Sequence, residues 1–409
     1  MNLPRITPLA APTNGVNAAL LRLALATGLA SVGLAAGGTG GALLATELAG
    51  TEAVAGIPFG LVVIGSAAGA VLLSQLTTRI GRARALAAGY LVGVAGAVLV
   101  IGAAMVESVA LVLAGSLLLG PANAAVFLAR YAGADLADEV RRGRAMGTVL
   151  FAAALGAILA PNLLGPSGAA ARAIGLSPYS GLHLVAIAAF GVGAATLFGG
   201  GRQTAGRGQP SSSAAGPTPS SASGLLVLGA ANAAMVGLMA VAPVHLTHSG
   251  HSLEFVGLVI SIHVAGMLVP SPLTGWLTDR LGPGLVAAAG AVMLLGAGGW
   301  AAIGDQADAW TVTGYLVILG LGWNLAVVSG STMLTAGLSP AHRPRAEAAG
   351  EVAMGIAAGL AAGSAGVVAA AAGWPPLAIG VGLAGVGAAL GLRYGTRRDS
   401  APIPSATIR

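Results

Sequence analysis

Cysteine is absent from this 409-residue chain, and so is lysine, which leaves arginine as the whole of its permanent basic side-chain charge. Without thiols there is no disulfide framework and no thiolate ligand for a metal. Charged residues make up only 8% of the sequence and aromatics 4%, against 56% hydrophobic residues and a mean hydropathy of +0.87. One water-soluble core cannot hide that much apolar surface, so the composition demands lipid as solvent. No arginine run is interleaved with aromatics, which argues against nucleic acid as a partner. The sequence holds no nucleotide-binding loop, nucleophile constellation or soluble domain, and it is not read as an enzyme. Residues 1–17 lack the charged, apolar and small-residue order of a cleaved leader, so the first apolar run is expected to stay in the membrane.

What is present is an apolar segment of roughly 20 residues, repeated from end to end and long enough to cross a ~30 Å hydrocarbon layer. The fold expected is an all-α membrane protein with about twelve transmembrane helices. The spans fall at roughly 20–45, 54–76, 85–105, 109–130, 146–165, 181–199, 224–246, 253–276, 285–304, 310–336, 348–371 and 377–394. An even count puts both termini on one side. If that side is cytoplasmic, every arginine except Arg172 lies inside, as the positive-inside rule requires. The isoelectric point near 10.7 is then a signal of topology.

Residues 200–223 are rich in Gly, Pro and Ser and have nothing to bury, which predicts a flexible cytoplasmic linker. It separates an N-terminal six-helix half, 1–199, from a C-terminal six-helix half, 224–409. The halves echo one another. Thr78-Arg79-Ile80-Gly81-Arg82 follows the second span, and Gly275-Trp276-Leu277-Thr278-Asp279-Arg280-Leu281-Gly282 follows the eighth. The second copy resembles the signature Gly-x-x-x-Asp-Arg-x-Gly loop of the major facilitator superfamily. The first is degenerate, with Ser74 at the glycine position and Thr78 at the aspartate position. Ala134-Asp135-Leu136 through Arg141-Arg142-Gly143-Arg144-Ala145 is also family-like. The resemblance implies two halves around a central cavity, reached alternately from each side. Arg79, Gly81, Arg82, Asp279, Arg280 and Gly282 would form the gating loops.

Met235-x-x-x-Met239 in the seventh span and His263-x-x-x-Met267 in the eighth each place two side chains one helical turn apart on one face. His263 would sit about 15 Å below the outer surface, and both pairs near the midplane. A methionine pair alone is ordinary packing, whereas a midplane histidine is costly unless it works. Thioether sulfur and neutral imidazole together suit monovalent copper, without a fixed negative charge in the lipid. His245, His248, His251 and Glu254 occupy the outer turn between these spans, either as an entry site for the cation or as a hydrated turn.

These two motifs resemble those of the CcoA-like copper importers, a bacterial branch of the same superfamily. In that branch Met235, Met239, His263 and Met267 would be the copper ligands. The resemblance implies copper as cargo with no resident cofactor, a place in the bacterial inner membrane with both termini cytoplasmic, and a cytoplasmic copper-delivery partner. Its members supply copper for assembly of cbb3-type cytochrome oxidase. The same branch contains riboflavin transporters. An organic-solute carrier, for riboflavin or for drug efflux, therefore stays open, as does a copper sensor that does not transport.

The energy source is less legible. Proton-driven relatives often carry an arginine within span four, where this chain has Ser116, and the nearest acid to any span interior is Glu351 at the inner end of span eleven. Ala160-Pro161-Asn162-Leu163-Leu164-Gly165 departs from the Gly-Pro-x-x-Gly-Gly pattern of drug exporters. The Gly355, Gly359, Gly363 ladder predicts a close helix contact. Asn232, Trp323, Asn324 and Met354 are candidates to line the cavity.

Overall fold

A computed structural model describes residues 13–51, 54, 56–198 and 219–399 of the chain. Among them are fifteen α-helices and no strand. The first set comprises α1 (Thr13–Ala49), α2 (Ile57–Ile80), α3 (Arg82–Met105), α4 (Val109–Asp135), α5 (Arg142–Leu159), α6 (Leu164–Ala173) and α7 (Gly181–Phe198). The second comprises α8 (Pro219–Met239), α9 (Ala242–His248), α10 (Leu253–Leu268), α11 (Ser271–Leu281), α12 (Pro283–Ile303), α13 (Ala309–Thr335), α14 (Arg343–Ala372) and α15 (Trp374–Asp399). Eleven stretches among the described residues are long and apolar enough to cross a membrane, with α10 and α11 forming one of them. The apolar part of α15, Trp374–Gly385, falls short of that length.

Two expected spans are broken. The seventh divides into α8 and α9 ahead of Pro243, and the eighth divides at Pro270 into α10 and α11. Proline has no N–H to give to the helix ladder, so each break falls where the backbone already lacks a donor. The fifth ends at Leu159, passes through a single 3₁₀ turn at Ala160–Leu163, and is followed by the unforeseen helix α6. The predicted linker is also shorter at its end, because α8 begins at Pro219 with Ser221 and Ser223 buried. Gly224 draws that first turn against α13, where a Cβ would lie 2.6 Å from the Leu334 nitrogen. Residues 200–218 lie outside the described residues.

Within each set, small residues let backbones touch, as membrane packing requires. Gly65 of α2 and Gly120 of α4 face one another with no room for a side chain on either. The two sets meet through α5 with α10, α11 and α13, and through α14 with α2 and α4. The close contacts fall where the arginines cluster, at the end of the bundle holding Gly81, Gly143 and Gly282. α1 packs on no helix of the second set to a comparable extent. The bundle is therefore shut on its arginine-rich face.

The glycine ladder of α14 does not make the contact expected of it. A Cβ at Gly355, Gly359 or Gly363 would meet nothing within 4 Å. Those residues lie beyond the stretch where α14 leans on α2, so their small size serves no packing in this state.

Gly65→Val should force α2 away from α4 at a cost of about 1–3 kcal/mol. A lowered melting temperature in detergent is expected for it and not for Gly60→Val, whose Cβ enters open space.

Candidate functional site

The duplicated loops fold alike. Gly81 and Gly282 both take positive φ, +88° and +83°, and both donate their N–H back to a threonine carbonyl, of Thr77 and Thr278. Only glycine adopts that turn without strain. Their polar partners differ. Asp279 lies on α11 and accepts the N–H groups of Gly143 at 2.7 Å and Arg144 at 3.0 Å, the first amides of α5. A carboxylate from one set thus caps a helix N-terminus of the other, where the backbone dipole favours negative charge. Gly143 must be glycine, since a Cβ there would stand 2.7 Å from the Asp279 carboxylate. Thr78 cannot repeat this at the first loop and bonds locally to the Gln75 carbonyl.

At the first loop arginine and glutamate take over. Arg82 grips Glu347 of α14 through two bonds, of 2.7 and 3.0 Å, and is held from its own side by Asp135 at 2.9 Å. Asp135 also draws in Arg343 at 3.4 Å and Arg142 at 3.7 Å. Of the proposed gating residues, Arg82 and Asp279 cross between the sets. Arg280 stacks on Trp276 of its own helix, and Arg79 is exposed with no ion-pair partner among the described residues.

One turn deeper lies a pair that sequence reading missed. Arg130, expected in a loop on the cytoplasmic side, is fully buried within α4. Its guanidinium reaches Glu351 of α14 at 2.7 Å, Ser331 of α13 at 2.9 Å, the Phe127 carbonyl at 2.7 Å and the Tyr131 hydroxyl at 3.1 Å. The signal was present: Arg130 stands inside an apolar run, several residues before the polar turn at Asp135.

The Met and His motifs lie farther from the arginine-rich face. His263 is buried and points to α13, where its Nδ1 lies 2.7 Å from the Leu316 carbonyl. That bond makes Nδ1 the protonated nitrogen and leaves a lone pair on Nε2, which is buried with no hydrogen-bond partner. Met267, Met235 and Met239 are part-buried against the core. α10 packs chiefly on α13, while α8 packs on α15, α14 and α13, and neither rests on the other, so the helix carrying Leu316 and Gly320 stands beside both motifs. Gly320 clears the space that His263 and Met267 occupy. Asn232 accepts from the Trp323 indole at 3.1 Å and donates to the Met354 carbonyl at 2.8 Å, tying α8, α13 and α14 together. Asn324 bonds to the Met267 carbonyl, Ser271 and Thr274, and so holds α13 to α10 and α11.

The outer histidines are dispersed. His245 lies flat on Trp374, with ring centroids 3.9 Å apart and planes within 2°. His251 stacks on Phe255 and meets the Gln306 carbonyl at 2.8 Å, whereas His248 is exposed. The Glu254 side chain lies outside the described residues. Among the described residues no three His, Asp or Glu side chains come together in a way that would hold a metal ion.

The Major Facilitator Superfamily model matches residues 222–407. YddS of Bacillus subtilis, named an uncharacterized MFS-type transporter, is 34% identical over 364 residues, covering 85% of this chain and 84% of its own length. The chain belongs to the major facilitator superfamily. Within that superfamily it is also similar to the riboflavin transporter RfnT of Brucella anthropi, 26% identical over 343 residues and covering 82% and 84% of the two chains. The crystal structure of the human organic anion transporter MFSD10 shares the fold, with a TM-score of 0.71 at 16% identity, covering 93% of this chain and 100% of the other. This superfamily member is a multi-pass membrane transporter, and its charged contacts across α2, α4, α5, α11 and α14 join the two sets of helices at the arginine-rich face.

Two outcomes follow for the gate and the outer turn. Removing one partner of a buried ion pair costs about 3–5 kcal/mol in the state that buries it. Glu351→Gln should therefore favour the state open on the arginine-rich face, and a single Met146→Cys at the now buried junction should react with maleimide applied from that face at least tenfold faster. The chain has no native cysteine to confuse the readout. Burial against Trp374, with a smaller push from His248, holds the His245 imidazole below its usual range. The unfolded chain then binds the proton more readily, so thermal stability should decline as pH falls below about 6.5. His245→Phe, which keeps the stack, should flatten that decline in a melting series from about pH 7 to 5.

Proposed function

We propose that the transporter imports copper into the cytoplasm, binding it through Met235, Met239, His263 and Met267. On this reading the arginine-rich face is cytoplasmic, the membrane is the bacterial inner membrane, and residues 1–199 rock against 224–409 around the cavity. The single observation that carries it is the Nε2 of His263, a buried lone pair with no protein partner, on a ring oriented by the Leu316 carbonyl. A backbone-anchored Nδ1 with a free Nε2 is the ordinary arrangement of a metal-ligating imidazole. Met267 lies one turn along the same helix and adds a soft sulfur at that depth. The imported copper would pass to a cytoplasmic delivery partner for cbb3-type oxidase assembly.

A second reading has its own support. The named cargo of RfnT is riboflavin, and that transporter aligns with 82% of this chain.

Uptake of radiolabelled copper and of riboflavin should be followed in parallel, in cells lacking their own importers. Copper import predicts wild-type copper uptake that drops to background in His263→Ala and in expression-matched Met235→Ala. Riboflavin uptake with copper at background would sink the copper reading and establish the second.

A further inference from the structure

Between α2 and α14, on the arginine-rich face, lies a groove of about 660 Å³ that the gate does not fill. Val71 and Val352 form apolar wall, Gln75 lies between, and Arg79 and Arg345 stand at one end. Both arginines are exposed, and neither has an ion-pair partner among the described residues. Arg79 is in the last turn of α2 and Arg345 in the first turn of α14, so both lie at the depth of lipid headgroups. Toward the membrane centre the wall passes into exposed aliphatic surface, with Leu72 beside Val71 and Ile356 one turn beyond Val352.

Charge at headgroup level with an apolar channel above it matches a molecule that carries both features in that order. We propose that this groove binds an anionic phospholipid, its phosphate between Arg79 and Arg345 and an acyl chain along Val71 and Val352. A soluble anion would answer the arginines and leave the apolar wall bare. The groove spans the two halves and adjoins the Arg82–Glu347 contact. It exists only while α2 and α14 are together, so the lipid is a ligand of the state shut on this face and favours that state. The proposal is independent of the cargo.

Native mass spectrometry of the delipidated full-length protein, offered equal amounts of phosphatidylglycerol and phosphatidylethanolamine, tests it. Wild type should retain phosphatidylglycerol in preference, and the preference should drop roughly fivefold for each arginine lost, the usual gain for a basic side chain near anionic lipid. Arg79→Gln with Arg345→Gln should remove it, whereas Arg84→Gln, an exposed arginine outside the groove, should not. The labelling rate of Met146→Cys should also be lower in phosphatidylglycerol nanodiscs than in phosphatidylethanolamine nanodiscs, and the double variant should abolish that difference. Equal retention of the two lipids by wild type overturns the site, with no variant needed. An unchanged preference in the double variant, or in both single variants should the double not fold, overturns it as well. Displacement of the lipid by millimolar inorganic phosphate would assign the groove to a soluble anion and likewise end the proposal.

Discussion

The ion pair between Arg130 and Glu351 constrains the rest of the architecture. A guanidinium with no solvent exposure, inside a helix that crosses lipid, is tolerable only if every donor is met. Its partners come from α4 itself, from α13 and from α14, so α4 can stay charged only while the two halves touch. The cost of separating them is the cost of rehydrating or repairing that charge. This ties gating to electrostatics, since apolar contact alone gives little preference between protein and lipid-tail surroundings.

The surrounding contacts between the two sets solve one problem twice by different chemistry. On the α5–α11 side a carboxylate caps a helix, and the glycines at 143 and 275 bring the backbones close enough for Asp279 to reach the free amides. On the α2–α14 side the equivalent position is Thr78, which bonds within its own turn, and the burden moves to Arg82, Glu347 and Asp135. Both arrangements need an ionised carboxylate, and they differ in geometry: the cap sets one nearly buried carboxylate on two backbone amides, whereas the α2–α14 side spreads the task over Arg82, Arg343 and Asp135, long or partly exposed side chains. The second side also carries the unfilled groove.

Much of the fold was legible because lipid imposes length and periodicity on every span. The matched turns at Gly81 and Gly282 were legible because a positive φ leaves a glycine in the sequence. What was missed shares one cause. A hydropathy window averages over a helix and cannot see where a single residue points. It hid the breaks before Pro243 and at Pro270, and it assigned Arg130 to a loop when the bundle interior held its partners. Small-residue spacing failed in a similar way when it turned the Gly355 ladder into a contact, although the ladder faces open space. Spacing shows that small residues share a face, whereas whether a helix covers that face depends on which side of the bundle is shut.

The candidate cargo site shows the same limit from the other direction. The i,i+4 pairs lie on α8 and α10, helices that are neighbours in sequence but do not pack chiefly on one another. α13 packs against both, and its Leu316 carbonyl fixes the His263 ring. A ligand set drawn from α8 and α10 would thus be assembled around α13, with Gly320 providing the clearance. Rocking that moves α13 relative to either neighbour would change the separation of the two soft pairs, and with it the affinity for anything held between them. A carrier needs that property, because a site that binds equally in both states cannot pass its cargo on.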